Sequence, residues 1–235
     1  MASCLLEVRD LRYERSRTDA GDAFVLEVDE LELQAGEAIG IVGPSGCGKS
    51  TLVDLLALLR RPASVGRFRL LDEDLASLWK RNALDACTLL RAVHIGVVLQ
   101  TGGLLPSLSA RENILLPQRL QGRLDLDWLD TLLRMLDLKG LDRRLPAQLS
   151  IGQRQRVAVA RALAHRPALV LADEPTASLG VEHAPAALDL LLRLAADSGA
   201  AVLVVSHDIP LLESRRVPMR RCAWQGGAVR LEAAT

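Results

Sequence analysis

The chain has 235 residues, enough for one large domain, and 49% of them are hydrophobic, which supports a substantial core. Its 29 basic and 29 acidic residues balance to a formal net charge of zero, and only 3% are aromatic. That balance argues against a strongly basic nucleic-acid binder and leaves few stacking platforms for single strands, so no nucleic-acid partner is expected.

At the start, "MASCLLEVRD" carries Glu7, Arg9 and Asp10, which interrupt any secretory apolar stretch. No uninterrupted apolar run approaches the roughly 18 residues of a membrane span, so a cytoplasmic protein is expected. The stretches 23–33 and 37–42 read as strands, from partial alternation and a short apolar run. A helix is expected over "KSTLVDLLALLR", then strands at 67–71 and 94–99. The section from about 104 to 166 lacks strong strand signals and holds leucine-rich helical patterns such as 126–138; it reads as a helical insertion. Buried strands return in "PALVLADE" and "AAVLVVSHD", separated by the helical run 184–199, and a terminal hairpin should turn at Gly226-Gly227. Strands alternating with helices predict an α/β fold with a mostly parallel sheet. Cys4, Cys47, Cys87 and Cys222 form no Cys-x-x-Cys pair, which indicates neither a zinc ribbon nor a redox dithiol.

The segment Gly43, Pro44, Ser45, Gly46, Cys47, Gly48, Lys49, Ser50, followed by Thr51, fits GxxxxGK[ST] at every fixed position. It lies between an apolar strand and a helix, where its backbone N–H groups and the helix dipole can hold phosphate. Lys49 would reach the β- and γ-phosphates, and the Ser50 hydroxyl is placed for Mg²⁺. Downstream, "ALVLADE" ends an apolar strand in two acids. Asp173 suits a Mg²⁺ contact and Glu174 a water in line with the γ-phosphate.

The ordered set "GPSGCGKST", "VVLQ", "LSIGQ", "LVLADEPT" and "VVSHD" spans residues 43 to 208. It resembles the ATPase subunits of ABC transporters. The resemblance implies a P-loop NTPase fold, over a single domain of residues 1–235, with an N-terminal antiparallel β subdomain and an α-helical subdomain. It implies ATP and Mg²⁺ as ligands and several residue roles. Gln100 is similar to the glutamine that joins the metal and water shell and senses a membrane partner. Glu174 resembles the catalytic glutamate, and His207 the switch histidine at the γ-phosphate. Tyr13 is the first candidate for the adenine-stacking aromatic, with Phe24 as the alternative.

"LSIGQ" is similar to the family signature, usually Leu-Ser-Gly-Gly-Gln. There, two copies pack head to tail and each signature contacts the ATP on the partner's phosphate loop, which gives Ser150, Gly152 and Gln153 a binding role. Ser150-x-x-Gln153 also fits a capping box that needs no ligand, and the two roles are compatible. Two positions depart from the pattern: Ile151 replaces the first glycine, and Gly180 stands where aspartate is usual. Both bear on the rate and tightness of ATP-driven closure, while intact Lys49, Glu174 and His207 favour an active ATPase. The stretch 99–120 resembles the LolD, MacB and FtsE type. That implies an integral membrane permease as partner, with this chain peripheral on the inner face of the membrane. It leaves a low-turnover regulatory clamp as the alternative to a transport ATPase.

Overall fold

The computed structural model describes residues 4–15, 24–180 and 182–233. Ala23, the first residue of one expected strand, lies outside them. The chain opens with β1 (Cys4–Arg15) and β2 (Phe24–Gln34), an antiparallel pair. Leu6, Val8 and Leu11 of β1 face Leu33, Leu31 and Val28 of β2, and all six are buried. Both strands turn their faces over together, at Arg9–Asp10 and Asp29–Glu30. Strict alternation therefore fails along β1, which was not foreseen as a strand.

β3 (Ala38–Val42) leads into the phosphate loop and α1 (Lys49–Leu56). This helix stops short of the expected end at Arg60, because Leu58 enters the left-handed region at φ 57° and Leu59 N–H turns back to the Asp54 carbonyl. β4 (Arg67–Leu70) and the short β5 (Glu73–Asp74) extend the antiparallel edge. Two unforeseen helices, α2 (Leu75–Lys80) and α3 (Leu84–His94), precede β6 (Ile95–Val98).

Only helical elements lie between β6 and the next strand: α4 (Ala110–Leu120), α5 (Leu126–Met135), a 3₁₀ turn at Pro146–Gln148 and α6 (Ile151–Leu163). Then follow β7 (Leu169–Asp173), α7 (Ala184–Asp197), β8 (Ala201–Val205) and α8 (Ile209–Ser214). The chain closes on β9 (Met219–Gln225) and β10 (Ala228–Ala233). Gly226 and Gly227, at φ 57° and 86°, make the two-residue turn between them. Positive φ at both positions is what a tight hairpin between twisted strands requires.

The ten strands of the described residues form one sheet, in the order β5-β4-β1-β2-β10-β9-β3-β8-β7-β6. The block β9-β3-β8-β7-β6 is parallel throughout. β8 is buried at every position, as expected of a parallel strand covered on both faces. One apolar cluster joins β1, β2 and β4 to α1 and α2, and a second joins α4, α5, α6 and α7 to the other side of the parallel strands. In such a sheet the strand ends carry the binding crevice. β3, β8, β7 and β6 deliver to one edge, respectively, the phosphate loop, His207, Asp173 with Glu174, and Gln100.

Candidate functional site

These strand ends surround a cleft of about 670 Å³ lined by Arg15, Phe24, the loop residues Ser45 to Thr51 except Cys47, and Gln100, Asp173, Glu174 and His207. Its floor is set by pairing: Asp173 is level with Val205, and Ile41 pairs with the same residue from the other side.

Within the loop, Gly48 adopts φ 93° immediately before α1. A Cβ there would come within 2.5 Å of the Phe24 ring, so both the backbone angle and the space demand glycine. Lys49 is buried, and its Nζ donates to the carbonyls of Gly43 and Pro44, each at 2.9 Å. These bonds curl the loop back around its own lysine and hold the ammonium at the cleft wall. Ser50 is exposed at the helix start, with its hydroxyl near enough to the Asp173 carboxylate to lower that group's pKa.

Asp173 combines two opposing influences. Burial raises its pKa above the ordinary carboxylate value, and the nearby Ser50 hydroxyl partly offsets that. Its Oδ1 is buried without a hydrogen-bond partner. An orphaned carboxylate oxygen beside a serine hydroxyl suits a hard divalent cation. No group of three or more His, Cys, Asp or Glu side chains capable of holding a metal occurs among the described residues. A cation here would therefore draw other ligands from water and phosphate, as Mg²⁺ does.

One residue on, Glu174 sits at φ 50°, an uncommon conformation for a side chain of this size, with its N–H bonded to the Val205 carbonyl at 3.0 Å. The turn directs its carboxylate to His207, whose Nδ1 lies 2.8 Å from Glu174 Oε2. His207 is held between β8 and α8 by a local cap: Asp208 N–H donates to Ser206 Oγ, and Leu211 N–H to Asp208 Oδ1.

Tyr13 is not among the cleft residues. It packs partly buried on the core, with the Arg60 guanidinium 6.0 Å from its ring and bonded to its hydroxyl at 3.3 Å. Among the described residues the aromatic that lines the cleft is Phe24, the alternative candidate to Tyr13. Its ring lies over Gly48, meets Trp224 edge-to-face at 6.0 Å and has Arg15 at 5.5 Å. Arg15 carried no motif and was not foreseen.

The signature residues lie elsewhere. Ser150, Ile151 and Gly152 line a separate apolar cavity of about 770 Å³ with Leu179 and Gly180, and no residue is shared with the cleft. Ser150 caps α6, its Oγ accepting from Gln153 N–H at 3.2 Å while Gln153 Oε1 accepts from Ser150 N–H at 2.9 Å. The capping box is formed, and it leaves the Ser150 hydroxyl proton free to donate outward.

Two unforeseen side chains fix the segment after Gln100. Arg161 donates to the Gly102 and Gly103 carbonyls at 2.8 Å each. Asn113 is wholly buried and bonds Leu105 N–H and the carbonyls of Leu105, Leu108 and Ser109.

A family profile described as "ABC transporter" matches residues 26–177, a span that runs from β2 through the phosphate loop and signature to the turn after Glu174. The chain belongs to the ABC transporter family. Among its ABC relatives is the lipoprotein-releasing system ATP-binding protein LolD of Idiomarina loihiensis, 41% identical over 91% of this chain and 92% of that one. The methionine import ATP-binding protein MetN of Cupriavidus necator is 39% identical over 83% of this chain and 56% of its own. Among solved ABC structures, the dimeric post-hydrolysis state of the cassette MJ0796 bound to ADP and Pi superposes with a TM-score of 0.80. It is 31% identical and covers 97% of this chain and 98% of that one. This ABC protein is accordingly an ATPase. No described helix is long and apolar enough to cross a membrane.

Proposed function

We propose that this chain is the ATP-hydrolysing subunit of a LolD-like transporter, acting as a head-to-tail dimer beneath an integral membrane permease. The observation that carries the reading is the convergence of Lys49, Asp173, Glu174 and His207 on one cleft while Ser150 and Gly152 lie outside it. A second phosphate-facing helix start that cannot serve its own chain's nucleotide fits a nucleotide held by a second copy. Full-length similarity to LolD, a lipoprotein-releasing protein by name, supports that type of permease.

In this reading the phosphate-loop N–H groups and Lys49 bind the β- and γ-phosphates, and Phe24 with Arg15 flanks the base. Ser50, Asp173 and Gln100 would hold Mg²⁺, which neutralises charge on the phosphate oxygens when bound. Glu174 orients and deprotonates the attacking water, and His207 orients Glu174 and faces the γ-phosphate. The dipole of α6 and the Ser150 hydroxyl of the partner copy supply further donors.

A low-turnover regulatory clamp is the second reading, favoured by the Ile151 side chain, 51% exposed at the signature. The test is co-expression with the permease from a neighbouring reading frame. Co-purification with ATP turnover stimulated by the permease supports transport. Co-purification with ATP-dependent association but no stimulated turnover supports the clamp, and failure to co-purify with any permease overturns both.

A further inference from the structure

Cys47 lies in the phosphate loop, and Cys222 lies on β9 one position beyond the Arg221–Val42 pair, next to Gly43. Both are free and fully buried. A Cβ on Gly43 would stand 2.9 Å from Cys47 Sγ, 3.3 Å from Cys222 Cβ and 2.6 Å from the Cys222 carbonyl oxygen. The two cysteines thus share the space that glycine leaves open, close enough for Cys47 to act on the Cys222 thiol. Lys49 Nζ, the centre of the loop, is 3.9 Å from Cys47 Sγ. Burial above all, and then Cys47 itself, raises the Cys222 pKa, which keeps that thiol protonated. Cys4 is exposed on β1, and Cys87 is buried on α3.

We propose that Cys47 and Cys222 are a modification site, which a hydroperoxide converts to a reversible disulfide that disables the phosphate loop. The functional part of this inference rests on the phosphate-loop reading above. In the first step Cys47 sulfur attacks a peroxide oxygen. An S–O bond forms, the O–O bond breaks, and the departing oxygen leaves with the Cys47 proton as water or alcohol. Cys222 sulfur then attacks the sulfenic sulfur. The S–S bond forms, the S–O bond breaks, and hydroxide leaves as water with the Cys222 proton. The dithiol loses two electrons and the hydroperoxide gains them.

The consequence follows from position. The loop binds phosphate by aiming successive N–H groups inward, and the disulfide would tether its Cys47 corner, two residues before Lys49, to a strand of the sheet. Because both thiols are buried, oxidant reaches them only as the loop opens, and a nucleotide that orders the loop should protect them.

The test uses the full chain carrying Cys4→Ser and Cys87→Ser. Hydrogen peroxide should yield, on digestion without reductant, a linked Cys47–Cys222 peptide pair two hydrogens lighter than its parts. ATP affinity should fall by roughly tenfold or more and return with dithiothreitol. ATP present during oxidation should slow the linkage. Cys222→Ser in this background should bind ATP like its reduced parent both before and after peroxide, and Cys222→Ala carries the same comparison if the serine variant does not fold. Absence of the linked peptide at a dose that oxidises Cys4 in the unsubstituted chain overturns the proposal. So does a linked protein with unchanged affinity, or a Cys222 variant that loses affinity on oxidation all the same. Lys49→Ala separates the two readings: undiminished ATP binding by that reduced variant sinks the phosphate-loop reading while leaving the linked peptide to form.

Discussion

His207 Nδ1 and Glu174 Oε2 stand 2.8 Å apart across the gap between β7 and β8. The contact holds the imidazole ring by Nδ1 and leaves its other nitrogen, Nε2, outside this pair. Glu174 is largely buried at this contact, whereas 67% of the His207 side chain is exposed. The glutamate's backbone conformation, at φ 50°, is strained by on the order of 1–3 kcal/mol. A strained carboxylate held by a neighbour's ring is arranged for orienting a small reactant.

Glu174→Gln should therefore retain ATP binding while slowing hydrolysis by on the order of a hundredfold or more. Phosphate release and calorimetry measure the two quantities separately. His207→Ala should slow turnover as well, since Glu174 loses its orienting partner. Unchanged phosphate release by Glu174→Gln would remove that residue from the chemistry.

Asp173 gives a prediction of opposite sign in two states. Its pKa is raised by burial, so the nucleotide-free fold disfavours the ionised form relative to the unfolded chain. The penalty is fully present above the folded pKa and is relieved as pH falls toward the unfolded value. Asp173→Asn should raise the melting temperature of the nucleotide-free protein by a few degrees at neutral pH. The same variant should lose most of the extra stabilisation from ATP with Mg²⁺, because the asparagine amide is a poor metal ligand. Thermal scans with and without ATP and Mg²⁺ read both effects, and a lower melting temperature without nucleotide would contradict this account of the carboxylate.

The strand-end residues were legible because each follows a continuous apolar run, and a parallel strand buried on both faces has no other pattern. The phosphate loop was legible because its glycines answer to backbone geometry. β1 was not, since its two faces exchange at Arg9–Asp10 and the alternation breaks. α2 is only six residues long, too short to show a helical period. Phe24 and Tyr13 could not be ordered from sequence, because which ring meets the cleft depends on the pairing of Tyr13 with Leu26 and of Arg15 with Phe24. Asn113 and Arg161 reach loop carbonyls that no local pattern announces.

The segment after Gln100 should couple the cleft to the permease. Asn113 ties Leu105, Leu108 and Ser109 by four hydrogen bonds, while Leu105 is 43% exposed. Leu104 and Leu115 instead pack into or against the core. Leu105→Glu should leave ATP binding intact and weaken co-purification with the permease. Asn113→Leu should cost about 2 kcal/mol or more of stability by leaving buried backbone groups unpaired, read by urea denaturation. Crosslinks that place the permease only on the β9–β10 hairpin would refute a docking role for Leu105.

At the signature, Ser150→Arg should spare nucleotide binding by the monomer and block ATP-dependent dimerisation, because the long side chain occupies the position assigned to the partner's phosphate. The two departures from the family pattern can be reversed in the same assay. Ile151 is the first residue of α6 and half-exposed beside Gly180, so its bulk stands where a second copy would approach. A Cβ on Gly180 would meet nothing within 4 Å, so Gly180→Asp adds a polar group without a clash. In the Glu174→Gln background, Ile151→Gly with Gly180→Asp should strengthen ATP-dependent dimerisation by roughly 1–2 kcal/mol, the scale of a few interface hydrogen bonds. Glycine at a helix start opposes this by up to about 1 kcal/mol of helix stability. The intact Ser150–Gln153 capping box limits that loss by holding the first turn. Sedimentation at matched folded fraction, with and without ATP and Mg²⁺, separates association from folding. Association that is unchanged or weaker would mean that Ile151 and Gly180 fit an interface particular to this chain, and the clamp reading would then lose the sequence feature that favours it.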